Sequence, residues 1–399
     1  MKGYNITMFI DLKKKLSDEF ARIFGFDHDI RMFFAPGRVN LIGEHTDYNG
    51  GHVFPCALSL GTYAAVRKRD DMKLRMYSMN FAEDGIIEAS LNLELKSSPE
   101  YKWANYPLGI VHTFIKRNMI PDTGFDILFY GTIPAGSGLS SSASIEVLTG
   151  YCLKEMYGFE VSKQDLALIG QYSENNFNGM NCGIMDQFAS AFGRKGYAIF
   201  LDTSTLKYEY VPVKLEDIKI VIANTNKKHL LTSSGYNDRR KESEAALKAL
   251  QCVTDIKSLG ELDEKAFAQY SYAIKDEVCF RRARHAVTEN LRTIKAVDAL
   301  NRNDLETFGH LMNESHISLD RDYEVTCPEL NIMAEEEWHC SGVIGARMTG
   351  GGFGGCTVAL VKEDSVDQLI EKVGAAYNAR TGIKPDFYIV DIGDGPAEL

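Results

Sequence analysis

Apolar side chains recur along the chain with two different periods, and these periods predict where helices and strands lie. Residues 9–25 carry apolar side chains at helical spacing and predict an amphipathic helix. Residues 62–67 and 73–79 alternate between apolar and polar positions, which predicts a β-hairpin whose tip is the charged run 67–71. The compact apolar run 125–130 lies between two glycines and predicts a buried strand.

The second half of the chain separates its helices from its strands. Further strands are predicted at 197–201, 207–213, 218–223, 343–348, 356–361 and 387–391. Further helices are predicted at 166–177, 234–251, 263–277, 280–300, 303–317 and 364–379. This segregation favours an α+β fold of two domains, residues 1–212 and 213–399, with the boundary somewhere between residues 205 and 220. We expect a small-molecule site in the cleft between them.

The net charge and the cysteines limit which binding partners and which cellular compartment we expect. The chain has 399 residues and a net charge of −11, so its overall field repels nucleic acid and anionic membrane. Its eight cysteines are scattered without a C-x-x-C pair or a metal-ligand spacing, which favours reduced thiols. The first residues lack the pattern of a secretion signal, and no run of about 18 apolar residues occurs. We therefore expect a cytoplasmic monomer that binds neither nucleic acid nor membrane.

The run PAGSGLSSSASIEV, residues 134–147, follows the predicted strand 125–130 and enters a helix. Gly136 and Gly138 remove side chains where the backbone approaches something closely, and three serines stand where the first N–H groups of the helix lack partners. Unpaired N–H groups and the positive end of the helix dipole favour an anion, so this loop is a candidate phosphate site. A capped helix after a flexible turn is the alternative.

Two further stretches carry candidate chemistry. Residues 35–58 hold too many glycines and charges for a regular buried element and predict a structured, partly buried loop with several donors and acceptors, although a surface loop with local charge pairing is an alternative. Glu174 and Asp186 follow the serine-rich run, where one could ligate a cation while the other handles a substrate proton. Five glycines within residues 350–355 predict a close approach of the backbone to a ligand or to the first glycine loop.

A basic run on a predicted helix has a simpler explanation. Arg281, Arg282, Arg284 and His285 lie close together in a chain that is acidic overall. We expect these side chains to pair with local carboxylates and not with nucleic acid.

These pieces exclude three nucleotide-binding classes and favour phosphoryl transfer. Residues 134–147 contain no lysine, so the loop is not a Walker loop, and the protein-kinase motifs are absent from the chain. Only G-S-G is present where a dinucleotide-binding dehydrogenase needs G-x-G-x-x-G. Phosphoryl transfer requires positioning, neutralisation of charge and control of the attacking hydroxyl, and the chain offers all three. The cluster of Glu44, His45 and Asp47 suits a neutral, hydroxyl-rich acceptor.

The motifs GRVNLIGEHTDYNGG, GTIPAGSGLSSSASIEV and GARMTGGGFGGCTVAL, in this order, resemble those of galactokinases, which belong to the GHMP small-molecule kinase superfamily. CGIMDQFAS and DRDYEVTCPEL are similar to the family as well, so the resemblance spans nearly the whole chain. It implies the two-domain GHMP kinase fold with the active site between an N-terminal and a C-terminal domain. It also implies transfer of a phosphoryl group from ATP, with Mg²⁺, to the anomeric hydroxyl of D-galactose.

The resemblance also implies roles for individual residues. Those expected around the sugar are Arg38, Glu44, His45, Asp47, Gly183, Asp186 and Tyr236. Asp186 and Arg38 are the expected catalytic pair, and Ser142 and Glu174 are the expected Mg²⁺ ligands. Those expected to bind ATP are Gly136, Ser137, Gly138, Leu139, Ser140, Ser141 and Ser142, with Trp103 and Tyr106 on the nucleotide side.

Two other functions are compatible with part of this pattern. One is a kinase of a related sugar, such as N-acetylgalactosamine or arabinose, although EHTDYNGG and its flanks follow the galactose pattern. The other is a non-catalytic sensor that binds galactose and ATP. The chain keeps Ser140, Ser141, Ser142 and Ala143 without a gap and retains Asp186, which favours an enzyme.

Overall fold

The structure is a computed structural model that describes residues 2–92, 94–134, 136–214, 216–227 and 232–399. Ala135, inside the serine-rich run, lies outside the described residues. The α-helices are α1 (Lys2–Phe24), α2 (Asn105–Lys116), α3 (Ser141–Tyr157), α4 (Lys163–Asn176), α5 (Met185–Phe192), α6 (Thr232–Gln251), α7 (Glu264–Tyr270), α8 (Glu277–Asn301), α9 (Leu305–Ser318), α10 (Pro328–His339) and α11 (Val366–Thr381).

Three sheets are built from thirteen strands among the described residues. The strands are β1 (Arg31–Asn40), β2 (His52–Val53), β3 (Pro55–Lys68), β4 (Lys73–Ser78), β5 (Ile87–Ser90), β6 (Phe125–Gly131), β7 (Tyr197–Asp202), β8 (Tyr208–Pro212), β9 (Ile218–Asn224), β10 (Val343–Thr349), β11 (Cys356–Lys362), β12 (Asp386–Val390) and β13 (Ala397–Glu398). A six-stranded sheet has the order β13-β1-β3-β6-β4-β5, a four-stranded sheet has the order β10-β11-β9-β12, and a third has the order β2-β7-β8.

The predicted hairpin of residues 62–67 and 73–79 is wrong. Both segments are strands, but β6 lies between them, antiparallel to β3 and parallel to β4. The alternation carries no information about which strand pairs with which. The first five residues of β6 are all buried, as is typical of an interior strand whose sheet is covered on both faces.

Three other sequence predictions change in detail. Residues 35–58 are less loop-like than expected, since β1 runs to Asn40, β3 starts at Pro55 and most of the connection is buried. The helix predicted at 263–277 ends at Tyr270, and α8 starts afresh because Asp276 accepts the Cys279 N–H as its N-cap. Helix α10 was not predicted.

The two halves of the chain share part of their core. Helix α1 covers one face of the six-stranded sheet, and the other face packs against α2 to α5. A second cluster joins Val39 and Leu139 from the first half to Ile220 and Val358 from the second. The chain end returns to the first sheet, where Ala397 pairs with Phe34. The shared core holds the cleft between the halves in a fixed geometry, while the domain boundary at residue 212 stays a prediction.

Other expectations concern cysteines and membranes. All eight cysteines are free thiols, and Cys56, Cys152, Cys340 and Cys356 are buried. Among the described residues, no helix combines the length and the apolar character that crossing a membrane requires.

Glu337 gives the fold a pH dependence that can be tested. It is fully buried on α10, where Thr357 donates a hydrogen bond of 2.8 Å to Oε1, while Oε2 has no partner. Burial raises the pKa of Glu337 to about 8. In the folded chain the Glu337 carboxyl group therefore keeps its proton up to a pH of about 8, whereas in the unfolded chain it loses the proton above its ordinary pKa of 4.5. This contribution to stability is complete at low pH and is lost as the pH rises towards 8, by about 1.4 kcal/mol per pH unit.

We expect the free energy of unfolding of Glu337→Gln to increase relative to that of the wild type as the pH rises. The gain between pH 5.5 and 7.5 should be about 1.4 kcal/mol per unit, measured by urea denaturation. Glu335→Gln, at an exposed position on the same helix, controls for the loss of a charge. Parallel pH curves for Glu337→Gln and the wild type would contradict this explanation.

Candidate active site

A cleft of about 380 Å³ lies between the two halves of the chain. We call residues 134–142 the serine loop, residues 41–54 the β1–β3 segment and residues 350–355 the glycine loop. The sequence-predicted residues that line the cleft are Arg38, Glu44, His45, Asp47, Gly136, Gly138, Ser140, Ser141, Ser142, Glu174, Gly183, Asp186 and Tyr236. Ser137, Leu139, Trp103 and Tyr106 do not line it. Most of the predicted site is therefore brought together in one place.

Asp186 and Arg38 form a bidentate pair in the cleft. Asp186 lies in the first turn of α5, and Arg38 lies on β1. Arg38 donates from Nε to Asp186 Oδ1 at 2.8 Å and from Nη2 to Oδ2 at 2.9 Å. Its remaining nitrogen, Nη1, donates to the Gly138 carbonyl at 2.7 Å. The guanidinium thus ties the carboxylate to the serine loop in a fixed orientation.

The serine loop makes a further contact with the same carboxylate. Ser140 precedes α3 in the left-handed conformation, with φ 60°, and its side chain does not cap the helix. Ser140 Oγ instead donates to Asp186 Oδ2 at 2.6 Å. The alternative of a simply capped helix is therefore wrong, because the hydroxyl that could cap α3 faces the cleft.

The β1–β3 segment supplies two carboxylates, of which Glu44 is buried and Asp47 is partly buried. Glu44 Oε1 accepts the Gly350 N–H at 2.6 Å, and Oε2 accepts the Asn40 side-chain amide. Burial raises the pKa of Glu44 to about 7, although the positive charges of Arg347 and then Arg38 oppose the shift. Burial, followed by the Asp186 charge, raises the pKa of Asp47 to about 6. The local charge pairing of a surface loop does not describe this segment, since both carboxylates face the cleft.

Aromatic side chains close the same end of the cleft. His45 is buried, with Nδ1 2.7 Å from the Tyr48 hydroxyl, and burial lowers its pKa to about 3. The His45 ring lies 5.5 Å from that of Tyr236 on α6 and 4.8 Å from that of Tyr323, measured between centroids. His45 is therefore a neutral imidazole at physiological pH and can serve as a hydrogen-bonding group without charge.

Gly183 leaves room for Asp47. A Cβ atom at residue 183 would lie 1.8 Å from Asp47 Oδ2. We expect Gly183→Ala to displace that carboxylate and to raise the KM for the acceptor about tenfold or more, because such an overlap costs roughly 1–3 kcal/mol. Steady-state kinetics with varied acceptor measure this effect. In the matched variant Gly131→Ala the new Cβ would meet its nearest neighbour at 3.6 Å, so the acceptor KM should stay near that of the wild type. Equal KM values for the two variants would contradict the prediction.

Ser142 and Glu174 lie on facing helices and suit a hard cation. The hydroxyl of Ser142, in the first turn of α3, hydrogen-bonds to the Glu174 carboxylate. Gln187 Nε2 donates to Glu174 Oε2 at 2.8 Å and to Glu146 Oε2 at 3.0 Å. Burial and then the Asp186 charge raise the pKa of Glu174 to about 7. A divalent cation would relieve this crowding of acids, so the oxygen donors fit Mg²⁺.

The glycine loop packs onto the serine loop. A Cβ on Gly350, whose φ is 84°, would lie 2.8 Å from the Gly138 carbonyl oxygen, and one on Gly355 would lie 3.2 Å from that of Ser137. This bears out the predicted close approach of the two glycine-rich segments. In the described residues, no group of three or more histidine, cysteine, aspartate or glutamate side chains could hold a metal. A cation here would need phosphate oxygens as further ligands.

Comparisons with known proteins identify the family. A model described as the galactokinase galactose-binding signature matches residues 18–68, and the models of the N-terminal and C-terminal domains of GHMP kinases match residues 105–194 and 296–379. The galactokinase of Clostridium acetobutylicum is 55% identical over 390 residues, which cover 98% of this chain and 100% of that protein. That of Bacillus subtilis is 51% identical over 388 residues, which cover 97% and 99%. The chain belongs to the galactokinase family.

Solved structures agree with membership in the galactokinase family. The crystal structure of Lactococcus lactis galactokinase complexed with galactose matches with a TM-score of 0.95 and 46% identity, over 97% of this chain and 100% of that one. The mevalonate kinase of Methanococcus jannaschii, 20% identical with a TM-score of 0.66, over 92% of this chain and 98% of that one, shares the fold. The expected α+β GHMP kinase fold is confirmed, and membership makes the chain an ATP-dependent sugar kinase.

Four residues expected to contact ATP in this galactokinase-family chain do not line the cleft. Trp103 packs edge-on against Phe129, with 5.9 Å between ring centroids, and Ser137 and Leu139 are buried inside the serine loop. Tyr106 lies near Glu174, and burial raises its pKa to about 12. A nucleotide role for these side chains stays a prediction.

The basic run on α8 combines two roles. Arg281, Arg282 and Arg284 pair with carboxylates, as expected, through Glu242, Asp322 and Glu324. His285 is different, because its Nε2 lies 3.1 Å from the Glu44 carbonyl oxygen. The sequence pattern did not reveal this support, since nothing along the chain links residues 44 and 285.

Proposed function

We propose that this chain transfers the γ-phosphoryl group of MgATP to the anomeric C1 hydroxyl of D-galactose, giving α-D-galactose 1-phosphate and ADP. The observation that carries the proposal is the bidentate Arg38–Asp186 pair, which lies where the β1–β3 segment and the serine loop meet. The family match adds the substrate class.

The β1–β3 segment suits the acceptor sugar. Its cleft-lining side chains are a buried carboxylate, a partly buried carboxylate and a neutral imidazole, and the two carboxylates accept hydrogen bonds. Hydroxyl groups both donate and accept, so this set recognises a polyhydroxylated and uncharged molecule. We assign Glu44, His45, Asp47, Gly183 and Tyr236 to the sugar.

Asp186 has the capacity to accept one further hydrogen bond. Its two oxygens already receive three donors, from Arg38 Nε, Arg38 Nη2 and Ser140 Oγ. An ionised carboxylate offers about four acceptor positions, so one remains for the C1 hydroxyl. We propose that Asp186 orients this hydroxyl towards the γ-phosphorus and takes its proton as the new O–P bond forms. In a loose transition state the proton leaves late, so orientation contributes much of the effect.

The serine loop and Arg38 suit the phosphoryl donor. Ser141 and Ser142 at the start of α3 line the cleft, and backbone N–H groups of this helix start would cradle the phosphates. Arg38 supplies a fixed positive charge beside the reacting groups, where negative charge develops. We assign Ser142 and Glu174 as the residues that would hold Mg²⁺, which supplies charge neutralisation on the phosphate oxygens when bound.

The eight free thiols favour a reducing compartment, and we propose that the protein acts as a monomer in the cytoplasm.

A coupled assay of ADP release tests the proposed function. With MgATP present, we expect release to depend on galactose and kcat/KM for galactose to exceed the values for N-acetylgalactosamine and arabinose. A higher kcat/KM for another sugar would overturn the choice of acceptor. Galactose binding without galactose-dependent release of ADP would instead indicate a sensor.

A further inference from the structure

A buried arginine lies behind the sugar side of the cleft without lining it. Arg347, on β10, is 0% exposed and lies between two buried carboxylates. Its Nη1 is 3.5 Å from Glu44 Oε1, and its Nη2 is 3.8 Å from Glu289 Oε1. Burying such ions costs desolvation energy that apolar side chains of similar volume would avoid, so the cluster is weak evidence for a purely stabilising role.

Arg347 acts directly on the carboxylate that we assign to the sugar. Among the groups that lower the pKa of Glu44 against the effect of burial, Arg347 is the strongest and Arg38 the next, whereas Glu289 raises it. His285 makes its hydrogen bond to Glu44 at the main-chain carbonyl oxygen. Loss of Arg347 would raise the pKa of Glu44 further and so favour the protonated form, which has one acceptor position fewer.

The second carboxylate partner of Arg347 holds the backbone of the β1–β3 segment. Glu289, on α8, accepts the Gly43 N–H at 3.0 Å and also binds the Ser315 hydroxyl. Arg347 Nε donates to the same Ser315 oxygen at 3.1 Å. The arginine is therefore fixed by the interior while it faces Glu44.

Arg347 also joins Glu44 to the glycine loop. Its Nη1 donates to the Asn40 carbonyl at 3.3 Å, and the Thr349 hydroxyl contacts the same oxygen at 3.2 Å. One residue further, the Gly350 N–H donates to Glu44. The end of β10 thus presents a guanidinium and an N–H to one carboxylate, and these two groups orient it.

We propose that Arg347 is a positioning residue for the sugar site, whose guanidinium faces the buried Glu44 carboxylate and directs it into the cleft as an acceptor for a sugar hydroxyl. This inference rests on the proposed function. It predicts an effect on galactose binding and little effect on the nucleotide, because Arg347 contacts no serine-loop residue in the contacts described above.

Arg347→Gln tests the proposal. We expect the KM for galactose to rise about tenfold or more, because the sugar hydroxyl would lose a well-directed hydrogen bond to a charged group. The KM for ATP and kcat should stay within about threefold of the wild-type values. A rise in the galactose KM alone is expected because Arg347 acts on the sugar side of the cleft. Arg347→Lys keeps the charge and should recover part of the galactose affinity, and it carries the test if the glutamine variant does not fold.

A pH series separates positioning from general damage to the fold. Galactose affinity, measured by calorimetry without nucleotide, should rise with pH as Glu44 ionises. In Arg347→Gln the midpoint of this rise should move to higher pH. In a Glu44→Gln background the further change Arg347→Gln should add little to the loss of galactose affinity, because the two residues act as a unit.

Arg282 offers a matched control. It is 1% exposed, pairs with two carboxylates at 2.6 and 2.5 Å, those of Glu242 and Glu324, and does not line the cleft. Arg282→Gln should lower stability and leave the galactose KM unchanged. An unchanged KM and pH midpoint in Arg347→Gln, or an equal rise in KM in Arg282→Gln, would overturn the proposal. If the wild type itself releases no ADP with galactose, the proposed function fails, and that result is distinct from an active wild type with unaffected Arg347 variants.

Discussion

Asp186→Asn is expected to lower kcat with galactose by about 1,000-fold, the largest effect of any single substitution considered. The amide has nearly the same shape but cannot accept a proton, and it loses the charge that two Arg38 nitrogens bind. Proton transfer by a positioned group contributes about 10²–10⁴-fold, and misorientation of the hydroxyl adds to the loss. The measurement is kcat in the coupled assay at saturating MgATP and galactose.

The control for Asp186→Asn is an aspartate in a similar position on another helix. Asp367 is exposed in the first turn of α11, and Asp367→Asn removes one charge without touching the cleft. Its kcat should match that of the wild type. If Asp186→Asn kept most of the wild-type turnover, the role of Asp186 as a proton acceptor would be refuted.

Arg38→Lys is expected to lower kcat/KM for galactose by about 100-fold although the charge is kept. Lysine cannot reproduce the planar fork that binds both Asp186 oxygens and the Gly138 carbonyl at once. Loss of one preorganised donor at developing charge costs about 10²–10³-fold in rate. Steady-state kinetics with varied galactose give kcat and KM separately, and kcat should carry most of the loss.

Arg31 provides the control for Arg38→Lys, because it is also an arginine that binds a carboxylate through two nitrogens. It binds Glu398 through Nε and Nη2 with two contacts of 2.7 Å, at the surface and away from the cleft. Arg31→Lys should leave kcat/KM unchanged. Wild-type kcat/KM in Arg38→Lys would show that the charge alone is sufficient and that the bidentate geometry has no catalytic value.

The sequence could predict those parts of the site whose residues lie close together along the chain. The serine loop is a strand, a glycine-rich turn and a helix start in continuous sequence, so Gly136, Gly138 and Ser142 could be placed from the pattern alone. The clustering of Glu44, His45 and Asp47 in one short segment likewise indicated a polar binding surface before any fold was known.

The parts that sequence could not predict depend on contacts between distant segments. The left-handed Ser140 faces Asp186, a contact across 46 positions that no periodicity reveals. Arg347 and His285 support Glu44 from β10 and α8, and in sequence they look like an ordinary strand residue and part of a basic run. The wrong hairpin has the same origin, because alternation assigns faces of a strand and not its neighbours.

The position of the transferred phosphate tests the central claim most directly. The protein is incubated with MgATP and galactose labelled with ¹³C at C1, and the product is examined by ¹³C and ³¹P nuclear magnetic resonance. We predict a phosphorus coupling at the labelled C1 of an α-anomer, formed in equal amount to ADP. A phosphate on any other carbon, or no phosphorylated galactose at all, would contradict the assignment of the cleft to the anomeric hydroxyl.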